Sequence, residues 1–178
     1  MKESTEILIS EQTIKSRIDE LAKEIMNDYR GNPLTVVAIL TGSLVFLADL
    51  IRRLELPLRI ALVQASSYRG KTTVPGTLHV QADLLPDLRD RHILILDDIL
   101  DTGRTLSHMK EEISEQGASS VRTAVLLRKK GRQVIPMEPD YCGFEIPDHF
   151  VVGYGLDYND EYRNLPFIGI LPESSGQG

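Results

Sequence analysis

One stretch constrains this chain more than any other. His92-Ile93-Leu94-Ile95-Leu96 runs straight into Asp97-Asp98-Ile99-Leu100-Asp101 and then Thr102-Gly103-Arg104-Thr105-Leu106. The first five residues have strand character, and four of them are apolar with no polar alternation. Such a run suits a strand covered on both faces, as in a parallel sheet flanked by helices. A glycine turn follows at Gly103, and a helix is expected over about 105–116, ended by Gly117.

The rest of the chain repeats that unit. Ser10 is a candidate N-cap for a first helix that carries Ile14, Ile18, Leu21 and Ile25 on one stripe, with Ala22 and Met26 beside it; Gly31-Asn32-Pro33 stops it. Buried strands are expected at 34–40, 58–65 and 121–127. After the first of these, Thr41-Gly42-Ser43 turns into a helix with Leu44, Leu47, Leu50, Ile51 and Leu54. Residues 66–76 are polar and rich in turn formers, so they read as a mobile loop, with 78–81 a short returning strand. Alternating strands and helices argue an α/β fold: a central parallel sheet with helices on both faces. The whole chain, 1–178, is expected to be a single domain, with a core at about 30–130 and a small hood lobe from about 1–12 and 131–178.

Bulk properties exclude several classes. The chain is 42% hydrophobic and 26% charged, as globular proteins are, and its net charge of −6 disfavours a broad nucleic-acid surface. No apolar run approaches the roughly 20 residues of a membrane span, and Met1-Lys2-Glu3-Ser4-Thr5-Glu6 has no signal-peptide core. The lone Cys142 cannot form an internal disulfide and reads as a small core residue; a cytoplasmic location is the expectation. His79, His92, His108 and His149 show no metal-ligand spacing and read as structural.

The central stretch also carries chemistry. Gly103 tolerates backbone angles that let a turn fold into a cup of N–H groups, Thr102 and Thr105 add hydroxyls, and the following helix points its positive end there. That is an arrangement for holding a phosphate. Adjacent Asp97 and Asp98 suit hydroxyl groups, which need acceptors, or a hard cation. A ligand with a phosphate at one end and a diol beside it is a ribose phosphate, and Asp101 sits between the two, where a reacting centre would lie.

Residues 95–105 resemble the phosphoribosyl-pyrophosphate motif of type I phosphoribosyltransferases, and more narrowly the chain resembles hypoxanthine-guanine phosphoribosyltransferases over about 7–171. The resemblance implies several roles. Asp97 and Asp98 would hold the ribose diol, and Thr102, Gly103, Arg104 and Thr105 the 5′-phosphate. Thr41 and Gly42 stand in the pyrophosphate loop, where the family usually has Lys or Arg at position 41 and often a cis peptide; Arg163 would contact pyrophosphate as well. Ser67 and Tyr68 match the tip of a closing lid that keeps water from an oxocarbenium-like ribose. Lys129, or its neighbour Lys130, would donate to a purine 6-oxo group. Phe150 would stack on the purine, Val151 would read ring edges with its backbone, and Asp157 would orient a metal or reach the exocyclic edge. Mg²⁺ is the implied cofactor, with Asp97, Asp98 and Asp157 as its protein neighbours. Position 97 departs from the family's usual Glu by one methylene.

The implied reaction is purine salvage: hypoxanthine or guanine, with xanthine left open, attacks phosphoribosyl pyrophosphate through N9, giving IMP or GMP and pyrophosphate. Asp101 would accept, or hold by hydrogen bond, the N7 proton. A homodimer or homotetramer is expected, with no nucleic acid and no membrane as partner. Two alternatives stand beside this. One is a regulator of the same fold that binds nucleotides and nucleic acid without catalysis, although the acid at 101 and the acidic chain weigh against it. The other is an orotate, adenine or xanthine phosphoribosyltransferase, of which Lys129 and Phe150 disfavour the first two.

Overall fold

The computed structural model describes residues 5–67, 78–80 and 85–171. Its main layer is a six-stranded sheet built from β2 (Leu34–Leu40), β3 (Leu58–Ser67), β4 (Leu78–Val80), β5 (His92–Leu100), β6 (Ser120–Lys129) and β7 (Tyr141–Ile146), in the order β4-β3-β2-β5-β6-β7. The five strands from β3 to β7 are parallel, and only β4 at the edge is antiparallel.

The apolar runs explain the burial. Along β5, Leu94 and Leu96 enter one core and Ile93 and Ile95 the other, because successive side chains of a strand leave by opposite faces. Helices α1 (Glu11–Tyr29) and α2 (Leu44–Ile51) cover the first face, and α3 (Arg104–Glu115) covers the second. Each fully buried Leu or Ile contributes about 1.5–3 kcal/mol, so unbroken runs at the centre hold the layers together. Ser10 caps α1 as expected, its side chain accepting from the Thr13 N–H at 3.2 Å. Ile14, Ile18, Leu21, Ala22 and Ile25 are buried, with Tyr29 added to that stripe.

Two expectations shift. Helix α2 buries Phe46, Leu47 and Leu50, while Leu44 is 48% exposed; a helix apolar on nearly every side carries no polar stripe to mark its orientation. The large sheet also continues past residue 130, since β7 pairs with β6 from Ala124 opposite Tyr141 to Lys129 opposite Ile146. Arg17 of α1 secures that edge strand by donating to the carbonyls of Cys142 (2.9 Å) and Gly143 (3.1 Å). The first helix therefore packs on the large sheet.

A separate three-stranded antiparallel sheet joins β1 (Glu6–Ile9), β9 (Ile168–Ile170) and β8 (Val151–Val152), in the order β1-β9-β8. Residues 6–9 and 168–170 thus meet in one small layer. Among the described residues no helix is long and apolar enough to cross a membrane.

Candidate active site

In the large sheet the chain steps from β2 outward to β3, then returns to the other side of β2 as β5. The order reverses between β2 and β5, and open α/β sheets bind ligands at such a point, beyond the carboxyl ends of the strands. A cavity of about 350 Å³ lies there. Thr41, Gly42, Asp97, Asp98, Asp101, Thr102, Gly103, Thr105, Asp157 and Arg163 all line it. Arg104, Lys129, Phe150 and Val151 do not, Ser67 is the last residue of β3, and Tyr68 lies outside the described residues.

Asp97 and Asp98 are the carboxylates at the floor. Burial first, and Asp98 second, push the Asp97 carboxyl well above the ordinary carboxylate range. Burial also raises Asp98, against the opposing pull of hydrogen bonds and of Arg163. Each has one oxygen engaged by a nearby backbone N–H: Asp97 Oδ1 accepts from Asp98 at 3.0 Å, and Asp98 Oδ1 accepts from Ile99 at 2.8 Å. No Lys, Arg or His pairs with either among the described residues. The pair is rich in negative charge once ionised and short of counter-charge.

Asp157 does not join them. Its Oδ1 pairs with Arg163 Nη2 at 2.9 Å and its Oδ2 accepts from the Asp160 N–H at 2.9 Å. Among the described residues no three acids, histidines or cysteines gather into a preformed metal cage. The expected trio of metal neighbours thus reduces to Asp97 and Asp98 at one wall, with Asp157 held by an arginine across the cavity. Arg163 is fixed further by Nη1 donating to the Gly155 carbonyl at 2.8 Å.

The turn after β5 forms the opposite end. Gly103 sits at φ 82° as the residue before α3, a region other residues rarely adopt, and a β-carbon there would stand 2.6 Å from the Ile135 carbonyl oxygen. The first intrahelical bond runs from Ser107 N–H to the Gly103 carbonyl at 3.0 Å, so the preceding N–H groups have no helical partner. The side chain of Arg104 is exposed and does not line the cavity; its backbone N–H, at the helix start, donates to Thr102 Oγ1 at 3.5 Å.

On the β2 side, the Leu40–Thr41 peptide is cis. The Ser43 hydroxyl donates to the Ile39 carbonyl at 2.5 Å, closing the loop onto its own strand. Gly42 is packed on both sides: a β-carbon on it would meet Asp98 Oδ2, and a β-carbon on Gly155 would stand 2.1 Å from the Gly42 carbonyl oxygen.

The remaining residues stand at the end of β6 and the start of β8, outside the cavity lining. Lys129 is 11% exposed and its Nζ donates to Asp148 Oδ1 at 3.2 Å, whereas Lys130 is 67% exposed and pairs with Glu145. Phe150 is half exposed and meets Tyr158 edge to face at 5.6 Å between centroids. Val151 lies opposite Ile170, and the Leu171 N–H donates to the Phe150 carbonyl. That register makes 151 and 170 a non-hydrogen-bonded pair, which turns Val151's own N–H and C=O out of the sheet edge. Two residues not anticipated from sequence join this cluster: Arg132, whose Nε donates to Asp101 Oδ1 at 3.1 Å, and Asp148. His92, by contrast, bonds Ser120 and abuts Tyr29 far from the cavity, and Cys142 stays a half-buried thiol raised by burial.

Comparisons with known proteins give the family. The model of the phosphoribosyl transferase domain matches residues 4–159. The hypoxanthine-guanine phosphoribosyltransferase of Streptococcus pneumoniae is 40% identical over 167 residues, 94% of this chain and 93% of that protein. That of Staphylococcus aureus is 42% identical over 166 residues, 93% of each. Among solved structures, a hypoxanthine phosphoribosyltransferase from Staphylococcus aureus superposes with a TM-score of 0.87 at 41% identity, covering 94% of this chain and 91% of that one. A Bacillus anthracis hypoxanthine-guanine phosphoribosyltransferase, with a HEPES molecule in its active site, reaches 0.89 at 36% identity, covering 96% and 100%.

Proposed function

This chain belongs to the phosphoribosyltransferase family, and from that premise we infer that it is a purine salvage enzyme. It transfers the 5-phosphoribosyl group of phosphoribosyl pyrophosphate to N9 of hypoxanthine or guanine, giving IMP or GMP and pyrophosphate. The observation that carries this reading is one cavity lined both by the acid pair, Asp97 buried and Asp98 partly buried, and by the N-terminal turn of α3. The regulatory alternative has no support among the named relatives, which are enzymes.

The residues divide the work. The turn at 102–105 holds the 5′-phosphate with backbone N–H groups and threonine hydroxyls. Asp97 and Asp98 accept from the ribose hydroxyls, and the shorter Asp97 keeps its carboxylate nearer the strand than a glutamate would. Thr41 offers no positive charge, so the 41–43 loop acts on pyrophosphate through its backbone, with Arg163 supplying a cation in the cavity wall. Asp101 takes or holds the N7 proton while N9 attacks the anomeric carbon. Lys129, an ammonium that can only donate, selects a 6-oxo purine over a 6-amino one. Phe150 gives the base a flat apolar neighbour, and Val151's outward N–H and C=O pair with its edge.

The acid pair fits Mg²⁺: both groups are hard oxygen donors, Asp97 buried and Asp98 partly so, and neither is paired by a basic side chain among the described residues. With no three-acid cage present, Asp97 and Asp98 would hold the ion together with substrate oxygens, and Asp157 would act at one remove. Mg²⁺ bound there would offset the charge developing on the pyrophosphate leaving group.

For the expected self-association, Ile60 and Leu62 of β3 leave an apolar strip 45% and 44% exposed. A second copy, in a homodimer or homotetramer, would cover it; sedimentation velocity measures this directly. We propose that the enzyme works in the cytoplasm.

The decisive assay is pyrophosphate release from phosphoribosyl pyrophosphate and Mg²⁺ with hypoxanthine, guanine, xanthine and adenine offered separately. Release with hypoxanthine and guanine, and none after chelation of the metal, is the expected result. Release with adenine alone, or with none of the 6-oxo purines, overturns the reading.

A further inference from the structure

Arg132 takes no part in the bond changes of the reaction, yet it pairs directly with Asp101 and reaches Lys129 through Asp148. Its Nε donates to Asp101 Oδ1 at 3.1 Å, and its Nη1 lies 3.6 Å from Asp148 Oδ2. The other oxygen of Asp148 accepts from Lys129 Nζ at 3.2 Å. Carboxylate, guanidinium, carboxylate and ammonium thus form one chain, with Asp101 at one end and Lys129 at the other.

The backbone around Arg132 is fastened to the site. The N–H groups of Val134 and Ile135 donate to the Thr102 carbonyl at 2.9 and 3.1 Å, and the Gln133 side chain donates to the Lys129 carbonyl at 2.9 Å. These bonds tie the segment after Gly131 to the phosphate turn and to the end of β6. Arg132 is 47% exposed and Asp148 49%, so ion pairs here add little to stability. What a guanidinium supplies is geometry, since its planar fork fixes the spacing of two acceptors in a way an ammonium cannot. With Oδ1 of Asp101 engaged, Oδ2 is the oxygen left for the base.

We propose that Arg132 is a positioning residue. It aims the Asp101 carboxylate at the purine and, through Asp148, sets Lys129 at a matching distance, so that the two ends of the chain engage N7 and the 6-oxo group of one base together. This rests on the assignment of Asp101 and Lys129 to the base, and the test separates the two.

Steady-state kinetics would compare the intact protein with Arg132→Ala, Arg132→Lys, Asp101→Ala and the Asp101→Ala/Arg132→Ala double variant. Arg132→Ala should lower kcat about ten- to a hundredfold, the usual cost of a small misplacement, with KM for phosphoribosyl pyrophosphate within about twofold. Arg132→Lys should recover only part of that loss, because an ammonium reaches one carboxylate but does not fix two. Preference for hypoxanthine over adenine should narrow in Arg132→Ala, which a purely structural role would not cause. In the Asp101→Ala background the Arg132 substitution should cost clearly less than it does in the intact protein, because one of the two groups it acts through is already removed. Full activity in Arg132→Ala, or an equal loss with and without Asp101, overturns the proposal while leaving the phosphoribosyl transfer intact. No transfer by the intact protein overturns both.

Discussion

Asp98 and Gly42 compete for one volume: a β-carbon built on Gly42 would stand 1.6 Å from Asp98 Oδ2 and 2.5 Å from its carboxyl carbon. The loop cannot retreat freely, because Gly155 is packed against its other side. In Gly42→Ala the side chain that yields is therefore Asp98, a group placed on the ribose. Overpacking of this kind costs about 1–3 kcal/mol, so the fold should survive. Turnover should fall by more than about tenfold, since a misplaced reacting geometry is costly. Thermal unfolding measured beside steady-state kinetics checks the split; unchanged turnover would mean the carboxylate relocates without consequence.

Asp101→Ala should slow turnover by about two to four decades, the span of a lost general base. Nucleotide binding, followed by calorimetry with IMP, should be nearly intact, because the diol and phosphate contacts come from other residues. Turnover equal to the unaltered protein would remove Asp101 from proton transfer.

Lys129→Ala should weaken discrimination between 6-oxo and 6-amino purines by roughly ten- to a hundredfold, the worth of a charge-assisted hydrogen bond. The measurement is the ratio of kcat/KM for hypoxanthine and adenine. Lys130→Ala serves as the control, since Lys130 faces Glu145 and solvent. Should Lys130→Ala alone change the ratio, the assignment moves to the neighbour.

Tyr29 gives a pH prediction away from the site. Burial pushes its hydroxyl up to about 12, whereas an unfolded tyrosine titrates near about 10. Between those values the unfolded chain loses a proton that the folded chain keeps. Stability therefore falls as pH rises through that window, by at most about 1.4 kcal/mol per pH unit for this group, and is unaffected by it below. The buried hydroxyl has no hydrogen-bond partner among the described residues, so Tyr29→Phe should be neutral or stabilising near pH 7. Its alkaline limb in denaturant titrations should be shallower, though not flat, because Tyr141 and Tyr154 are also raised. An unchanged limb would mean Tyr29 ionises without opposing the fold.

Most of the frame was legible in sequence because the central strands carry unbroken apolar runs, which only a sheet covered on both faces can bury. The acids and the turn at 97–105 were legible because they are contiguous and their spacing is itself the site. Strand β7 was not, since Tyr141-Cys142-Gly143-Phe144-Glu145-Ile146 mixes polar and apolar residues as an edge strand does. Arg132 was hidden for another reason: its partner Asp101 is 31 residues away, and nothing local marks an arginine whose contact depends on how two loops cross. The pairing of Asp157 with Arg163 is similar, because two side chains that each suit a ligand also suit one another.

The contact between Gly155 and the Gly42 carbonyl has a consequence for binding. The segment bearing Phe150 and Asp157 and the loop facing pyrophosphate touch without slack, so neither can settle into a new position alone. Whichever substrate seats its own half first sets the shape the other must enter. The two substrates should therefore bind with coupled, not independent, affinities in a pocket whose walls lean on each other.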